Sequence, residues 1–273
     1  MLSGKSEEQF IDVPGGRVYV RQWLPAAPAA LPPVVLLHDS LGCVALWRDF
    51  PAQLAQRLGR KVIAYDRLGF GKSSERVALP SHRFIDEEAE SIFPSLCYSL
   101  GLERVVILGH SVGGGMGVAI AALHADRNLC VGLITESAQP FIEERTTRGI
   151  VAAKQYFSNP LHFKKLVKYH GSKARWVLAA WTETWLDPDF SDWSLLSHLK
   201  NVQCPVLAIH GDNDEYGSVA FPNFIAESIS GYSRSVIFER VGHVPHKEEP
   251  ATILTTVSEF LAEVEVAKLI QPV

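Results

Sequence analysis

The chain has 273 residues, of which 47% are hydrophobic and 21% are charged, and its formal net charge is −4. This composition is typical of a globular protein with one large core, and its acidic balance argues against nucleic acid as a partner, because phosphate groups need a basic surface. No apolar run reaches the roughly 18 residues of a membrane-spanning helix, and no secretory signal is visible, so we expect a cytoplasmic protein without a membrane partner.

Short apolar runs alternate with longer helical patterns, which is typical of a parallel sheet built from βαβ units. The chain opens with an antiparallel hairpin, whose second strand is predicted over 17–23 after a turn at 14–16. Further strands are predicted at 34–38, 62–65, 104–108, 131–135, 206–210 and 235–238. Helices are predicted at about 45–59, 86–100, 112–124, 218–230 and 249–266. The expected fold class is therefore α/β, with a mostly parallel sheet flanked by helices.

The interval between the strands at 131–135 and 206–210 is too long for an ordinary crossover, and its sequence is helical in character. We therefore predict a helical cap inserted at 139–200, with a core domain formed by 1–138 and 201–273. Four of the six tryptophans lie in this interval: Trp176, Trp181, Trp185 and Trp193. Trp181 and Trp185 share one helix face, and we assign both to a substrate pocket. The alternative is that these tryptophans only pack the cap onto the core.

The stretch GHSVG, residues 109–113, follows a buried-looking strand and precedes a helix of small residues. A G-x-S-x-G pattern in that position places its serine on a strained turn above the sheet, which makes Ser111 the candidate nucleophile. The amide of Val112 points at the same spot and is a candidate donor to an oxyanion. Because a serine hydroxyl is a weak nucleophile, it needs a base and an acid that orients the base.

The base is predicted to be His243 in VGHVPHKEEP, since the loop after the last strand reaches over the carboxyl ends of the strands, where open α/β sheets bind ligands. His246 is the competitor in the same loop. Asp214 in IHGDNDEYG is the predicted orienting acid, while Asp212 is expected to brace its own turn. Glu136, at the end of an earlier strand, is the alternative acid.

The second oxyanion donor is predicted in the loop VVLLHDSLG, residues 34–42. Such a site needs a backbone amide besides that of the residue after the nucleophile, and we assign this role to Ser40. Asp39 precedes it and is placed at the edge of the substrate pocket. A carboxylate at this position would repel developing negative charge unless it is paired or points away.

The chain resembles the α/β-hydrolase superfamily, and within it the cap-bearing serine esterase-like branch. The resemblance spans nearly the whole chain and rests on LLHDSLG, on YDRLGFGKS as D-x-x-G-x-G-x-S, and on GHSVGG. It continues through CPVLAIHGDND, whose G-x-x-D step selects Asp214, and through GHVPHKEEP, whose G-H-x-x-x-x-E-x-P frame selects His243. The chain departs from the family at Asp39, where a glycine is usual.

This resemblance implies a serine hydrolase that cleaves a small-to-medium carboxylic ester through an acyl-enzyme. Lactone hydrolysis and hydrolysis of a carbon–carbon bond stay open as alternatives, followed by perhydrolysis and a slow-turnover small-molecule receptor. We expect no cofactor and no metal, since the four cysteines form no C-x-x-C pair. The expected partner is a small-molecule ester or related acyl substrate, and assembly into a homo-oligomer stays open.

Overall fold

A single mixed sheet organises the chain. The structure, a computed structural model, describes residues 5–270, with side chains described as far as Glu265. The outer ends of the predicted core domain, 1–4 and 271–273, lie outside the described residues. Within the described range the strands are β1 Lys5–Val13, β2 Gly16–Leu24, β3 Val34–Leu37, β4 Val62–Tyr65, β5 Val105–His110, β6 Cys130–Glu136, β7 Val206–Gly211 and β8 Ser233–Phe238.

The strands lie in the order β1-β2-β4-β3-β5-β6-β7-β8. The hairpin β1–β2 is antiparallel and pairs antiparallel with β4, whereas every later pairing in the sheet is parallel. Parallel strands bring their carboxyl ends to one edge of the sheet, so the loops after β3, β5, β6, β7 and β8 meet there. The predicted fold class is confirmed.

Helices cover both faces of the sheet. They are α1 Phe50–Leu58, α2 Phe84–Glu87, α3 Phe93–Leu100, α4 Val112–Leu123, α5 Glu144–Ser158, α6 Pro160–His170, α7 Ala174–Trp185, α8 Leu196–Leu199, α9 Ala220–Glu227, α10 Pro245–Glu248 and α11 Pro250–Ile270. A π-helical turn, Glu88–Ile92, joins α2 to α3. None of the helices within the described range has the length and apolar character needed to cross a bilayer.

The buried side chains form two layers, one on each side of the sheet. Because side chains alternate along a strand, Val34 and Leu36 of β3 pack in the layer beneath α1 and α11, whereas Val35 and Leu37 pack in the layer beneath α3 and α4. Both layers are continuous across the parallel strands, as expected for a sheet that is covered on both faces.

The helices α5 to α8 lie between β6 and β7, and we call this segment the helical insertion. Its division from the core at 139–200 as a separate cap domain stays a prediction. Trp176 of α7 packs onto Gly69, where a Cβ would overlap the indole ring and where φ is +91°. His170, at the end of α6, accepts a hydrogen bond at Nδ1 from the Gly71 amide (3.0 Å) and donates one from Nε2 to the Leu41 carbonyl (3.0 Å).

Candidate active site

Ser111 occupies the tight turn between β5 and α4. Its backbone has φ 56° and ψ −125°, a conformation that costs a non-glycine residue free energy and persists only where its surroundings enforce it. A Cβ at Gly109 would overlap the Gly113 carbonyl, and a Cβ at Gly113 would overlap the Leu37 carbonyl. Both glycines are therefore required for the strand, the turn and the helix to approach this closely.

The Ser111 side chain is buried and lines a cavity of about 200 Å³ at the carboxyl edge of the sheet. Its hydroxyl donates to Oε1 of Gln139 at 3.4 Å. Gln139 lies three residues after β6, at the start of the helical insertion, and it was not among the predicted site residues. Its position after a parallel strand was the one sequence signal that could have pointed to it.

His243 and Asp214 come together across the same edge. The Nδ1 of His243 donates to Oδ2 of Asp214 at 2.8 Å, which leaves Nε2 as the acceptor nitrogen of a neutral ring. The other oxygen of Asp214 accepts from the Tyr216 amide at 2.7 Å. Asp212 does not brace its own turn as expected, since its carboxylate accepts from the Arg240 amide at 2.6 Å.

The carboxylate of Asp214 is ionised at neutral pH. Burial by itself would raise its pKa, but the charge of His243 and the hydrogen bond between the two groups outweigh burial and lower the pKa below its usual value. An ionised Asp214 holds the His243 ring in one orientation and stabilises the imidazolium that forms when the ring takes a proton.

The two alternatives weighed from the sequence, Glu136 and His246, bind each other. Glu136 accepts from Nδ1 of His246 through Oε2 and from the His246 amide through Oε1, both at 2.6 Å. Both side chains are buried, and the His246 ring lies 4.5 Å from the ring of Trp47. Among the described residues, neither member of this pair lines the cavity that contains Ser111 and His243.

Asp39, which stands where the family usually has glycine, has a partner for each oxygen. Oδ1 accepts from the Leu41 amide at 2.8 Å, and Oδ2 lies 3.2 Å from Nδ1 of His110. The other nitrogen of His110, Nε2, donates to the His243 carbonyl at 2.7 Å. Since both ring nitrogens of His110 face acceptors, a doubly protonated ring satisfies both.

The pKa values of this pair are consistent with a buried ion pair. Burial favours the neutral forms, but the hydrogen bond and charge of Asp39 outweigh it and raise the pKa of His110. In the same way, burial alone would raise the pKa of Asp39, yet His110 holds it well below its usual range. The Asp39 charge is therefore balanced by His110 rather than directed unpaired at the oxyanion site.

The two predicted oxyanion donors, Ser40 and Val112, lie beside the cavity of Ser111 and next to Ser111 in the chain, respectively. Ser40 lines the cavity, and within the described part of the chain its amide donates no hydrogen bond. Val112 is the first residue of α4, so its amide has no acceptor within the helix and points from the positive end of the helix dipole. Their joint action as an oxyanion hole stays a prediction.

The structure brings the three predicted pocket residues, Asp39, Trp181 and Trp185, to the cavity that Ser111 and His243 also line. Apart from Asp39 and the reacting residues, apolar side chains supply much of its wall, among them Leu41 and Ile150. The remaining tryptophans of the helical insertion do not line this cavity.

One further cluster has the composition of a metal site. Donor atoms of His110, Glu136 and His246 lie within 4.8 Å of one another, and all three side chains are buried. Each is already engaged, because His246 is bound to Glu136 and both nitrogens of His110 face Asp39 and the His243 carbonyl. We therefore assign this cluster to hydrogen bonding within the core.

Comparison with known proteins gives consistent results. The sequence profile of the alpha/beta hydrolase family matches residues 34–255. The chain is 25% identical over 244 residues to a proline iminopeptidase of Saccharolobus solfataricus, which covers 76% of this chain and 77% of that protein. It is 27% identical over 258 residues to a 2-hydroxy-6-oxononadienedioate/2-hydroxy-6-oxononatrienedioate hydrolase of Pseudomonas putida, with 84% and 87% covered.

Among solved structures, the 2-hydroxy-6-oxo-6-phenylhexa-2,4-dienoate hydrolase of Rhodococcus sp. strain RHA1 superimposes with a TM-score of 0.79. The match covers 95% of this chain and 100% of that one, at 16% sequence identity. At that identity the similarity shows the fold alone.

Proposed function

Because the chain belongs to the alpha/beta hydrolase family, we propose that it is a serine hydrolase that cleaves a small-to-medium carboxylic ester. In this proposal Ser111 is the nucleophile, His243 the general base and acid, and Asp214 the residue that orients the base. The observation that carries the proposal is the His243–Asp214 hydrogen bond of 2.8 Å beside the cavity lined by Ser111.

In the first half of the reaction, Oγ of Ser111 attacks the ester carbonyl carbon while Nε2 of His243 takes the hydroxyl proton. The amides of Ser40 and Val112 donate to the oxygen that becomes negatively charged. As the tetrahedral intermediate collapses, the carbon–oxygen bond to the alcohol breaks, and His243 gives its proton to the departing oxygen. The products are the free alcohol and an acyl group bound to Ser111.

In the second half, water attacks the acyl-enzyme carbonyl and gives a proton to Nε2 of His243. The bond to Oγ of Ser111 then breaks, the serine recovers the proton from His243, and a carboxylic acid leaves. Every step uses side chains and amides of this chain, and none uses a cofactor or a metal ion.

The cavity sets the expected size and character of the substrate. A volume of about 200 Å³ suits a small-to-medium group, and the walls formed by Trp181, Trp185, Leu41 and Ile150 suit an apolar or aromatic portion of it.

Hydrolysis of a carbon–carbon bond in a dienoic ketone is the second candidate. It is favoured by the similarity to the Pseudomonas putida hydrolase across 84% of the chain. The similarity to a proline iminopeptidase makes an amide substrate the third reaction to test.

The test measures turnover of p-nitrophenyl esters of rising acyl length beside a dienoic ketone and a prolyl arylamide. We expect the esters to be cleaved and a fluorophosphonate to label Ser111, with no labelling in Ser111→Ala. Absence of turnover for every ester, together with cleavage of the ketone, would replace the ester proposal by the second candidate. A failure of the fluorophosphonate to label Ser111 would contradict both.

A further inference from the structure

A second and smaller cavity, of about 40 Å³, lies beside the one that contains Ser111. Three residues line both cavities, namely Ser40, Trp181 and Trp185, so the two cavities share part of their walls. Since a water molecule takes roughly 30 Å³ in the liquid, the smaller cavity has room for a group of about the size of a carboxylate.

The walls of the smaller cavity contain a buried cation. Arg67 is only 6% exposed, and its Nη2 donates to the Asp39 carbonyl at 2.9 Å. Its guanidinium lies 4.3 Å from the ring centre of Phe70. Within the described part of the chain, the Nε of Arg67 is buried with no hydrogen-bond partner, while the nearby charges of Glu88 and Asp39 attract the guanidinium.

A buried N–H donor without a hydrogen-bond partner, such as the Nε–H of Arg67, is costly to the fold. Such a group is retained where a ligand supplies the missing partner. The guanidinium presents its donors as a planar fork that matches the two oxygens of a carboxylate.

The other charged groups on this cavity leave it with an excess of positive charge. Arg76 lines it, and its Nη2 lies 4.0 Å from Glu87 at the more exposed side. Glu88 also lines it, but its Oε1 accepts from the Tyr65 hydroxyl at 2.6 Å, and burial raises its pKa. Two arginines thus line this cavity together with one carboxylate, that of Glu88, whose charge acts on both of them.

We propose that Arg67 and Arg76 form an anion subsite that binds a carboxylate carried by the substrate, so that the preferred substrates are esters of dicarboxylic acids with one free carboxylate. This inference rests on the proposed function and names its substrate class. The subsite also touches Val112 and Ser40, the predicted oxyanion donors. The acyl chain therefore runs from the Ser111 cavity past Ser40, between Trp181 and Trp185, to the arginines.

The experiment compares two esters of equal chain length, p-nitrophenyl hydrogen glutarate and neutral p-nitrophenyl pentanoate. We expect kcat/KM to be at least about 10-fold higher for the anionic ester, since a hydrogen bond to a charged group contributes about 1.5–3 kcal/mol. Arg76→Gln and Arg67→Gln are each expected to reduce that ratio about 10-fold, chiefly through KM.

Arg83→Gln is the matched control, because Arg83 is an exposed arginine just before α2 and lines neither cavity. In Arg83→Gln the ratio of kcat/KM for the anionic ester to kcat/KM for the neutral ester should equal that of the parent protein. Arg67 also holds the Asp39 carbonyl, so Arg67→Gln is capable of disturbing the oxyanion loop, and Arg76→Gln carries the test if Arg67→Gln does not fold.

A binding measurement tests the anion subsite independently of ester turnover. In Ser111→Ala, calorimetry should show glutarate monoester binding about 10-fold more weakly once Arg76→Gln is added. A ratio near one in the parent protein, or an equal ratio in Arg76→Gln, overturns the subsite while ester turnover still stands. If neither ester is turned over, the proposed function fails, and the calorimetric result then decides the subsite alone.

Discussion

Two histidines that follow β8, His243 in the loop and His246 three residues later in α10, each bind a carboxylate, and the two pairs have different surroundings. In both pairs Nδ1 of the histidine donates to a carboxylate, at 2.8 Å from His243 to Asp214 and at 2.6 Å from His246 to Glu136. Hydrogen-bond length and residue type therefore do not distinguish a reacting histidine from a structural one.

The two pairs differ in whether the histidine lines a cavity and in which groups the carboxylate binds. His243 lines the cavity of Ser111, whereas His246 is buried against Trp47. Glu136 accepts from both the ring and the amide of His246, and so fixes the start of α10 as well as the ring. The comparison teaches that a pair becomes a candidate base only where a substrate can reach its second nitrogen.

The largest effect is expected at the cavity pair. Replacing His243 by alanine removes the proposed base, so kcat for the preferred ester should fall about 10⁴-fold or more. Stopped-flow and steady-state assays of the folded protein measure this. His246→Gln is the companion variant, and its kcat should stay within about 10-fold of the parent. Similar losses of kcat in the two variants would contradict the assignment of His243 as the base and of His246 as a structural residue.

The buried pair should instead control stability. His246→Ala leaves the buried Glu136 carboxylate with the amide of residue 246 but without the imidazole, and we expect the free energy of unfolding to fall by about 3 kcal/mol. Urea denaturation followed by fluorescence measures the change. Adding Glu136→Gln to His246→Ala should recover part of the loss, because a neutral amide is less costly to bury than an unpaired charge. A loss below about 1 kcal/mol would show that the His246–Glu136 pair contributes little to stability.

A third histidine–carboxylate pair, Asp39–His110, is expected to make the stability of the fold depend on pH. Because the pKa of His110 is raised in the folded state, its contribution to stability is fully present below about pH 6.5 and is lost as the pH rises through the raised value. Asp39→Asn removes this dependence, so its melting temperature should change less than that of the parent between pH 6 and 9.

The control for that measurement is Asp86→Asn, which removes the partner of the partly exposed His198. Since solvent reaches both side chains of this pair and screens it more than the buried pair, the pH profile of Asp86→Asn should stay closer to the parent profile than that of Asp39→Asn. An unchanged profile in Asp39→Asn would mean that His110 is not held in its protonated form.

The smallest expected effect concerns substrate preference. Trp181→Leu enlarges the cavity, so the optimum acyl length should shift upward and kcat/KM for the original best ester should fall about 10-fold. Trp193 packs against Trp185 and Phe190 but lines neither cavity. Trp193→Phe should therefore keep the original preference, and equal shifts in the two variants would remove the pocket role of Trp181.

Much of the sheet follows from local patterns, because buried parallel strands appear as short apolar runs. The strand predicted at 62–65 is β4, and the other strands predicted after the opening turn differ from the prediction by one or two residues at their ends. The helix predicted at 86–100 is instead two short helices joined by a π-helical turn, with Pro94 at the start of the second. The helical pattern at 45–59 begins as an α-helix only at Phe50, after a 3₁₀ turn and just before Pro51.

The residues of the candidate site also divide into those that local sequence patterns predict and those that they do not. Glycine spacing predicts the turn at Ser111, because the required close approach is a local property of the backbone. The roles of His110 and Arg67 could not be predicted, since each depends on a distant segment that only the folded chain brings near, whereas the position of Gln139 after a parallel strand was a signal that could have pointed to it. His110, for example, meets a carbonyl that lies 133 positions later in the chain.

The two hydrogen bonds of His170 have a mechanical consequence. This ring, at the end of α6, donates to the Leu41 carbonyl, next to Ser40. It also accepts from the Gly71 amide, in the loop that contains Arg67. The ring therefore ties the end of α6 to two loops of the core at once, and a displacement of α6 must either move both loops or break both hydrogen bonds. Lys173 strengthens the second attachment, because its Nζ donates to the Phe70 and Ser73 carbonyls. The position of the helical insertion and the shape of the loop around Ser40 are therefore mechanically coupled.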